Sequence, residues 1–206
     1  MPMTIRPMPV HGKTSTRAQG ASPEDVFNVA RGMYMCGEKL DMTELSRRVG
    51  IARATLYRWI GDRDRLIVDI LWHSMDTLFA FLAHTAPTTG PALGQRRIQH
   101  LMNGVLEAIV GSVAYRAFLD HEGKEGLNLI TSPQGLHGRV VERLIDLAQT
   151  EVDAGNYTPP ADLTILIESA VSLVEHFLYA HFVVEGFKPK LEHAKVAVGL
   201  LLRESV

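Results

Sequence analysis

A single cysteine, Cys36, stands among 206 residues, so the chain cannot close a disulfide on itself. Its stability must come from packing, and a reducing compartment, the cytoplasm, is expected. No apolar run reaches the roughly 18 residues needed to cross a bilayer. The opening MPMTIRPMPVHGKTSTRAQGAS carries no apolar segment of signal-peptide type, so no membrane partner is expected. Strand-type alternation and internal repeats are also missing. So are the common catalytic patterns: there is no G-x-S-x-G and no phosphate-binding loop. His121-Glu122, Glu175-His176 and Glu192-His193 are adjacent pairs without metal-ligand spacing, and His176 and His181 fall off a common helical face. Cys36, with apolar flanks and no nearby histidine, has the pattern of a core cysteine. No enzyme activity, cofactor or metal is expected.

What is present is an ample core and an uneven charge. Apolar residues make up 46% of the chain and charged residues 21%. The net charge of -2 is the sum of two unlike parts: through Leu66 the chain is basic, and beyond it acidic. A basic N-terminal third on an acidic body points to a polyanion met at one end only. Residues 1–21 mix Pro, Gly, Ser, Thr and basic residues and predict a flexible arm, either a tail without a role or an arm touching DNA phosphates.

Helical signals fill the rest. Ser22-Pro23 with two following acids predicts a helix start, and Val26, Val29, Met33 and Cys36 recur at helical spacing to about Gly37. Asp41 and Glu44 have capping-box spacing, Met42, Leu45 and Val49 share a face, and Gly50 ends a short helix. ARATLYRWI predicts a second short helix, and RLIVDILWHSMDTLFAFLAH a long one. Further helices are expected at 95–110, 112–122, from about 136 to Gly155, 161–185 and 190–203, with GKEGLNLITS as a loop. The fold class expected is all-α, with about nine helices: an N-terminal three-helix helix-turn-helix unit, then a larger helical ligand-binding and dimerisation domain.

The most informative stretch is GIARATLYRWIGDRDRL, with four arginines and two large aromatics. A short helix, a glycine turn and a second short helix make a helix-turn-helix candidate. Such a unit must bury a seam between its helices and turn the second helix toward base edges in the major groove. Leu45, Val49, Ile51 and Leu56 supply the seam. Arg53, Ala54 and Thr55 are then expected to face bases, since Arg reads guanine and Thr a base edge or methyl. Tyr57, Arg58, Arg47 and Arg63 suit phosphate, which fixes register without specifying sequence. On spacing alone, an ordinary helical hairpin with a solvated basic face fits as well. Trp59 has two possible places, in the packing of the domain or on the DNA backbone.

The run MTELSRRVGIARATLYRWIGDRDRLIVDIL resembles the DNA-binding segment of the TetR family of one-component bacterial regulators. The match lies in the Leu-Ser pair, Gly50, Thr55-Leu56-Tyr57, the aromatic Trp59, the basic Arg63 and Leu66, across about 45 residues. The resemblance implies that Gly50 lies in the turn, Thr55 and Tyr57 on the recognition helix, and Arg63 at the phosphate-facing start of the fourth helix, where Lys is usual. Trp59-Ile60 and Gly61 depart from the family pattern. TLYRWIG is similar to the QsdR-like branch, whose members regulate lactone-degrading genes. That similarity implies a lactone or acyl-lactone effector.

The helix expected at 161–185 is apolar nearly all round and must be buried twice. One face belongs to the chain's own core. Val171, Val174, Leu178 and Phe182, with Leu191, Ala194, Val198 and Leu201 of the last helix, are expected to pair with a second copy across a two-fold axis; a monomer burying the helix centrally is the alternative. The resemblance implies the same pairing. A homodimer in turn predicts a palindromic double-stranded operator. For a small apolar effector the candidates are Trp72, Met75, Phe79, Leu101, Met102, Val105, Phe118, His121, His137, Val141 and His176; each also suits an ordinary core. The domains expected are 1–21, the arm; 22–67, DNA binding; and 68–206, ligand binding and dimerisation. The function expected is a repressor released from its operator by ligand. A ligand-independent or metal-responsive regulator is the alternative.

Overall fold

The computed structural model describes residues 20–180 and 190–204; the arm expected over 1–21 falls almost wholly outside them, as do Phe182 and His181. The described residues hold nine helices and no strand: α1 (Pro23–Met35), α2 (Met42–Val49), α3 (Arg53–Ile60), α4 (Arg63–Thr85), α5 (Leu93–Gly111), α6 (Val113–Thr131), α7 (Leu136–Asp153), α8 (Leu163–Tyr179) and α9 (Leu191–Leu201).

The first helix starts as the sequence dictates. The Ser22 hydroxyl accepts from Asp25 N–H, and the Asp25 carboxylate accepts from Ser22 N–H, so two orphan donors are met together. Asp41 caps α2 by accepting from Thr43 and Glu44 N–H at 2.9 and 2.8 Å. The return half of that box is missing, because Glu44 is taken by Arg47 and Arg48. Cys36 is a correction: it caps α1 and is exposed rather than buried.

The helices α1, α2 and α3 pack together, and α1 and α3 both lean on α4, α1 as far along as His73, which meets Phe27 edge-on. The body is built from α4, α5 and α7 in mutual contact, α8 between α7 and α9, and α9 against α5. Among the described residues α4 alone is long and apolar enough to cross a membrane, yet Leu66, Ile70, Met75 and Phe79 bury its apolar face in the protein core.

GKEGLNLITS is not a loop. The helix α6 resumes after Gly123, whose backbone (φ 56°, ψ −129°) kinks it in a conformation that favours glycine. Of its turn formers Gly123 alone leaves helical geometry; Gly126 and Asn128 stay within the helix. Leu127 and Ile130, three residues apart, then pack the resumed helix against the core.

Candidate nucleic-acid interface and ligand cavity

Gly50 adopts the left-handed conformation (φ 76°, ψ 31°) that turns the chain out of α2. Its N–H and that of Ile51 both donate to the Ser46 carbonyl, which fixes the angle between α2 and α3. Leu56 is the one buried residue of α3 and is fully inaccessible. Everything else on α3 is at least partly open: Arg53, Ala54, Tyr57 and Arg58 are exposed, and Thr55 is half-buried. Trp59 and Ile60 pack partly against the core, so Trp59 belongs to the domain's packing.

Ala52 gives α3 no side-chain cap, so the positive end of the helix dipole is left to solvent beside Arg53, which lies 6.0 Å over the Tyr57 ring. This is an end suited to an anion. Arg47 is exposed but gripped by Glu44 through two hydrogen bonds of 2.8 and 2.7 Å. The hydrogen bonds of Arg47 and Arg48 hold the Glu44 carboxyl down at about 2, so it stays ionised across the physiological range.

Arg63 departs from expectation. Its side chain turns inward, donating Nε–H to the Leu40 carbonyl at 2.7 Å and Nη2–H to the Glu122 carboxylate. The Glu122 side chain is 9% exposed and that of Arg63 26%. A cation in the first turn of α4 opposes the helix dipole, and Glu122 offsets it. Next to it on α6, His121 Nε2 meets the Gly37 carbonyl at 3.0 Å. The middle of α6, just before its kink at Gly123, is thereby clasped to both the end of α1 and the start of α4. Glu122 escaped sequence reasoning because its partner is 59 residues away.

Of the ligand candidates, Met75, Met102, Val105 and His137 line one internal cavity of about 50 Å³ between α4–α8. The others lie elsewhere. Phe118 and His121 border the small cleft under residues 37–40, and Leu101 another cleft near Arg97. Phe79 and Val141 are core residues, Trp72 is half-buried, and His176 is exposed. The cavity's polar groups were largely missed: Tyr115 and Tyr179, hydroxyl to hydroxyl at 2.6 Å, and Glu175, bound to His137 Nδ1 at 3.0 Å. The available signal was a glutamate inside the apolar run AVSLVEHFLYA. Burial pushes the Glu175 carboxyl above its usual range, only partly opposed by His137.

That shift fixes a sign. A carboxyl whose folded pKa is raised binds more protons folded than unfolded, so stability falls as pH climbs from 4.5 through the raised value. Glu175→Gln is therefore expected to gain stability relative to the parent between about pH 4 and about pH 7, as measured by urea unfolding at both. An unchanged difference would place the charge in water.

The expected dimer face is corrected in the same way. Val171, Val174 and Leu178 point inward and line the cavity, and Ala194 and Val198 are buried within their own chain, with Leu191 and Leu201 half-buried. Spacing defines a helix's apolar stripes but not which stripe faces inward. The exposed apolar residues of these two helices are Ile165, Val196 and Leu200.

A family model for the tetracyclin-repressor-like C-terminal domain matches residues 93–203. No curated protein sequence matches the chain. Among solved structures, the TetR-family transcriptional repressor QsdR of R. erythropolis superposes with a TM-score of 0.78 at 27% identity, covering 89% of this chain and 95% of that one. Two others share the fold alone. The TetR-family repressor AlkX of Dietzia sp. strain DQ12-45-1b, implicated in biodegradation of n-alkanes, gives TM-score 0.52 at 16% identity (88% and 94% covered). The fatty acid degradation regulator FadR of Bacillus halodurans gives 0.51 at 11% (92% and 97%).

Proposed function

The chain belongs to the TetR family of transcriptional regulators, and from that premise we propose that it is a cytoplasmic, dimeric repressor released from a palindromic operator by a small, largely apolar effector. Residues 22–67 are assigned to DNA reading and 68–206 to effector binding and dimerisation, with the boundary inside the continuous helix α4. One observation carries the reading: α4 packs against both α1 and α3 of the reading unit and ends its first half at Met75 in the cavity wall. A molecule in the cavity therefore presses on the helix that seats the reading head. Effector must bind the DNA-incompetent arrangement more tightly, since equal affinity for both shifts nothing. The similarity to QsdR supports the repressor sign and, through the lactone-linked branch, an acyl-lactone as the first effector to try.

Arg53, Ala54 and Thr55 are assigned to base edges, and Tyr57, Arg58 and Arg47 to phosphates, Arg47 after exchanging Glu44 for DNA. Arg63 is withdrawn from the phosphate set because its guanidinium is spent on Leu40 and Glu122. For dimerisation, the outward Ile165, Val196 and Leu200 replace the inward Val171, Val174 and Leu178.

Selection of bound sites from a random DNA pool tests the proposal. Enrichment of a palindrome that acyl-lactone displaces supports it, and no enrichment of any palindrome rejects it. With the selected site in hand, Arg53→Ala is expected to cost roughly 1–3 kcal/mol and to relax one base position. A loss uniform across all sequences would make Arg53 a phosphate contact.

A further inference from the structure

The internal cavity shares a wall with a second space. Outside it, between α1, α4 and the α5–α6 turn, lies an open groove of about 410 Å³. Met75, Ile109, Tyr115 and Leu136 line both. Small-molecule sites usually measure roughly 300–1,000 Å³. At about 50 Å³, the inner cavity has room for a small polar group and no more. The outer groove has the volume but draws its polar groups from the rim. Joined across Met75, the most adaptable of the four shared residues, they make one elongated site with a narrow polar end and a wide apolar end.

The polar end defines a head group. Glu175 uses one of its roughly four acceptor positions, on His137. In the Tyr115–Tyr179 pair one hydroxyl donates to the other, which leaves a single phenolic proton unspent inside the cavity. Both tyrosine pKa values are raised, chiefly by burial, with the nearby Glu175 charge adding to it, so these hydroxyls stay protonated beside the carboxylate. A matching head must donate to Glu175 and accept from a tyrosine. A carboxamide does both without charge, whereas a carboxylate meets Glu175 as a like charge.

The wide end defines a tail. Its α1 wall is Arg31, Tyr34 and Met35, and Met35 is 61% exposed, an apolar side chain left in water.

We propose that this chain binds a neutral amphiphile, its amide head held between Glu175 and the Tyr115–Tyr179 pair and its alkyl chain running past Met75 and Ile109 into the outer groove against Met35 of α1. Such a chain touches the DNA-reading unit directly as well as α4. The site rests on the regulatory reading only in calling the bound molecule an effector.

Calorimetric titration of the full chain with hexanamide, decanamide and decanoate, without DNA, tests it. Decanamide is expected to bind at least about ten-fold more tightly than hexanamide, since each buried methylene adds to affinity. It is also expected to bind at least about ten-fold more tightly than decanoate near pH 7.5. Glu175→Gln should close most of the gap between the two decyl compounds. Ile109→Trp, which blocks the shared wall, should abolish the gain from chain length while hexanamide still binds; if that variant does not fold, Met35→Asp at the open end should reduce the same gain. Equal binding of the two amides, decanoate binding as tightly as decanamide, or a chain-length gain indifferent to Ile109→Trp and Met35→Asp would each overturn the proposal. A chain that selects an operator but binds no amide overturns this site alone. A chain that binds decanamide as described but selects no operator leaves the site standing and overturns the regulatory reading.

Discussion

Truncation of Leu56 to alanine is expected to abolish operator binding and to destabilise the chain by about 3 kcal/mol, within the roughly 2–5 kcal/mol range of buried leucine deletions. Leu56 is fully buried and is the one buried side chain of the eight-residue α3. No second anchor exists on that helix to share the loss, and only half-buried Thr55, Trp59 and Ile60 remain beside it. Because α1 to α3 pack mainly on one another and on α4, the damage should stay in the reading head. Local opening of the head then precedes global unfolding. The measurements are a gel shift on the selected operator and hydrogen exchange resolved by segment. Fast exchange confined to about residues 42–60, with amide binding retained, is the expected pattern. Unchanged operator affinity would mean that α3 is held by something other than its seam.

The second large effect belongs to Arg63. Removing it as Arg63→Ala leaves the Glu122 carboxylate, 9% exposed, without its cation, and leaves the Leu40 carbonyl without its donor. Breaking a fully buried pair typically costs about 3–5 kcal/mol; Arg63 is 26% exposed, so about 2 kcal/mol is the discounted expectation. Glu122→Gln keeps a partner oxygen for the guanidinium and should cost less. A double-mutant cycle between the two is expected to show a coupling of about 1 kcal/mol or more, and additive costs would mean the contact carries no stability. The functional readout is separate. The clasp joins α6 to α4 and to the end of α1, so in Arg63→Ala the effector should still bind but should shift operator affinity less than in the parent. An intact effector response would remove Arg63–Glu122 from the coupling route.

Much of this was legible in the linear chain because it is governed by local chemistry. Ser22-Pro23, Asp41 and Gly50 mark helix ends through hydrogen bonds to neighbours two to four residues away. Leu45 and Leu56 are apolar at spacings that leave them no place but a seam. The errors have a common physical origin. Arg63 follows a basic, phosphate-facing pattern, yet a part-buried glutamate 59 residues on captures it. Val171, Val174 and Leu178 form a true apolar stripe, but α7 and α5 take it for the cavity before a second copy can. Trp59 was undecidable because its burial depends on how α3 leans on its neighbours.

By itself, then, the sequence determined that this chain is helical, where most helices begin and end, that a glycine turn joins two short helices near its basic end, and which family it resembles. These follow from interactions within a turn or two of the backbone. Only the tertiary structure decided which apolar stripe faces inward, that Arg63 is spent on Leu40 and Glu122, and that a tyrosine pair and a glutamate–histidine pair from distant helices meet in one cavity. Those outcomes depend on side chains far apart in sequence competing for the same buried space, and spacing along one helix carries no record of that competition.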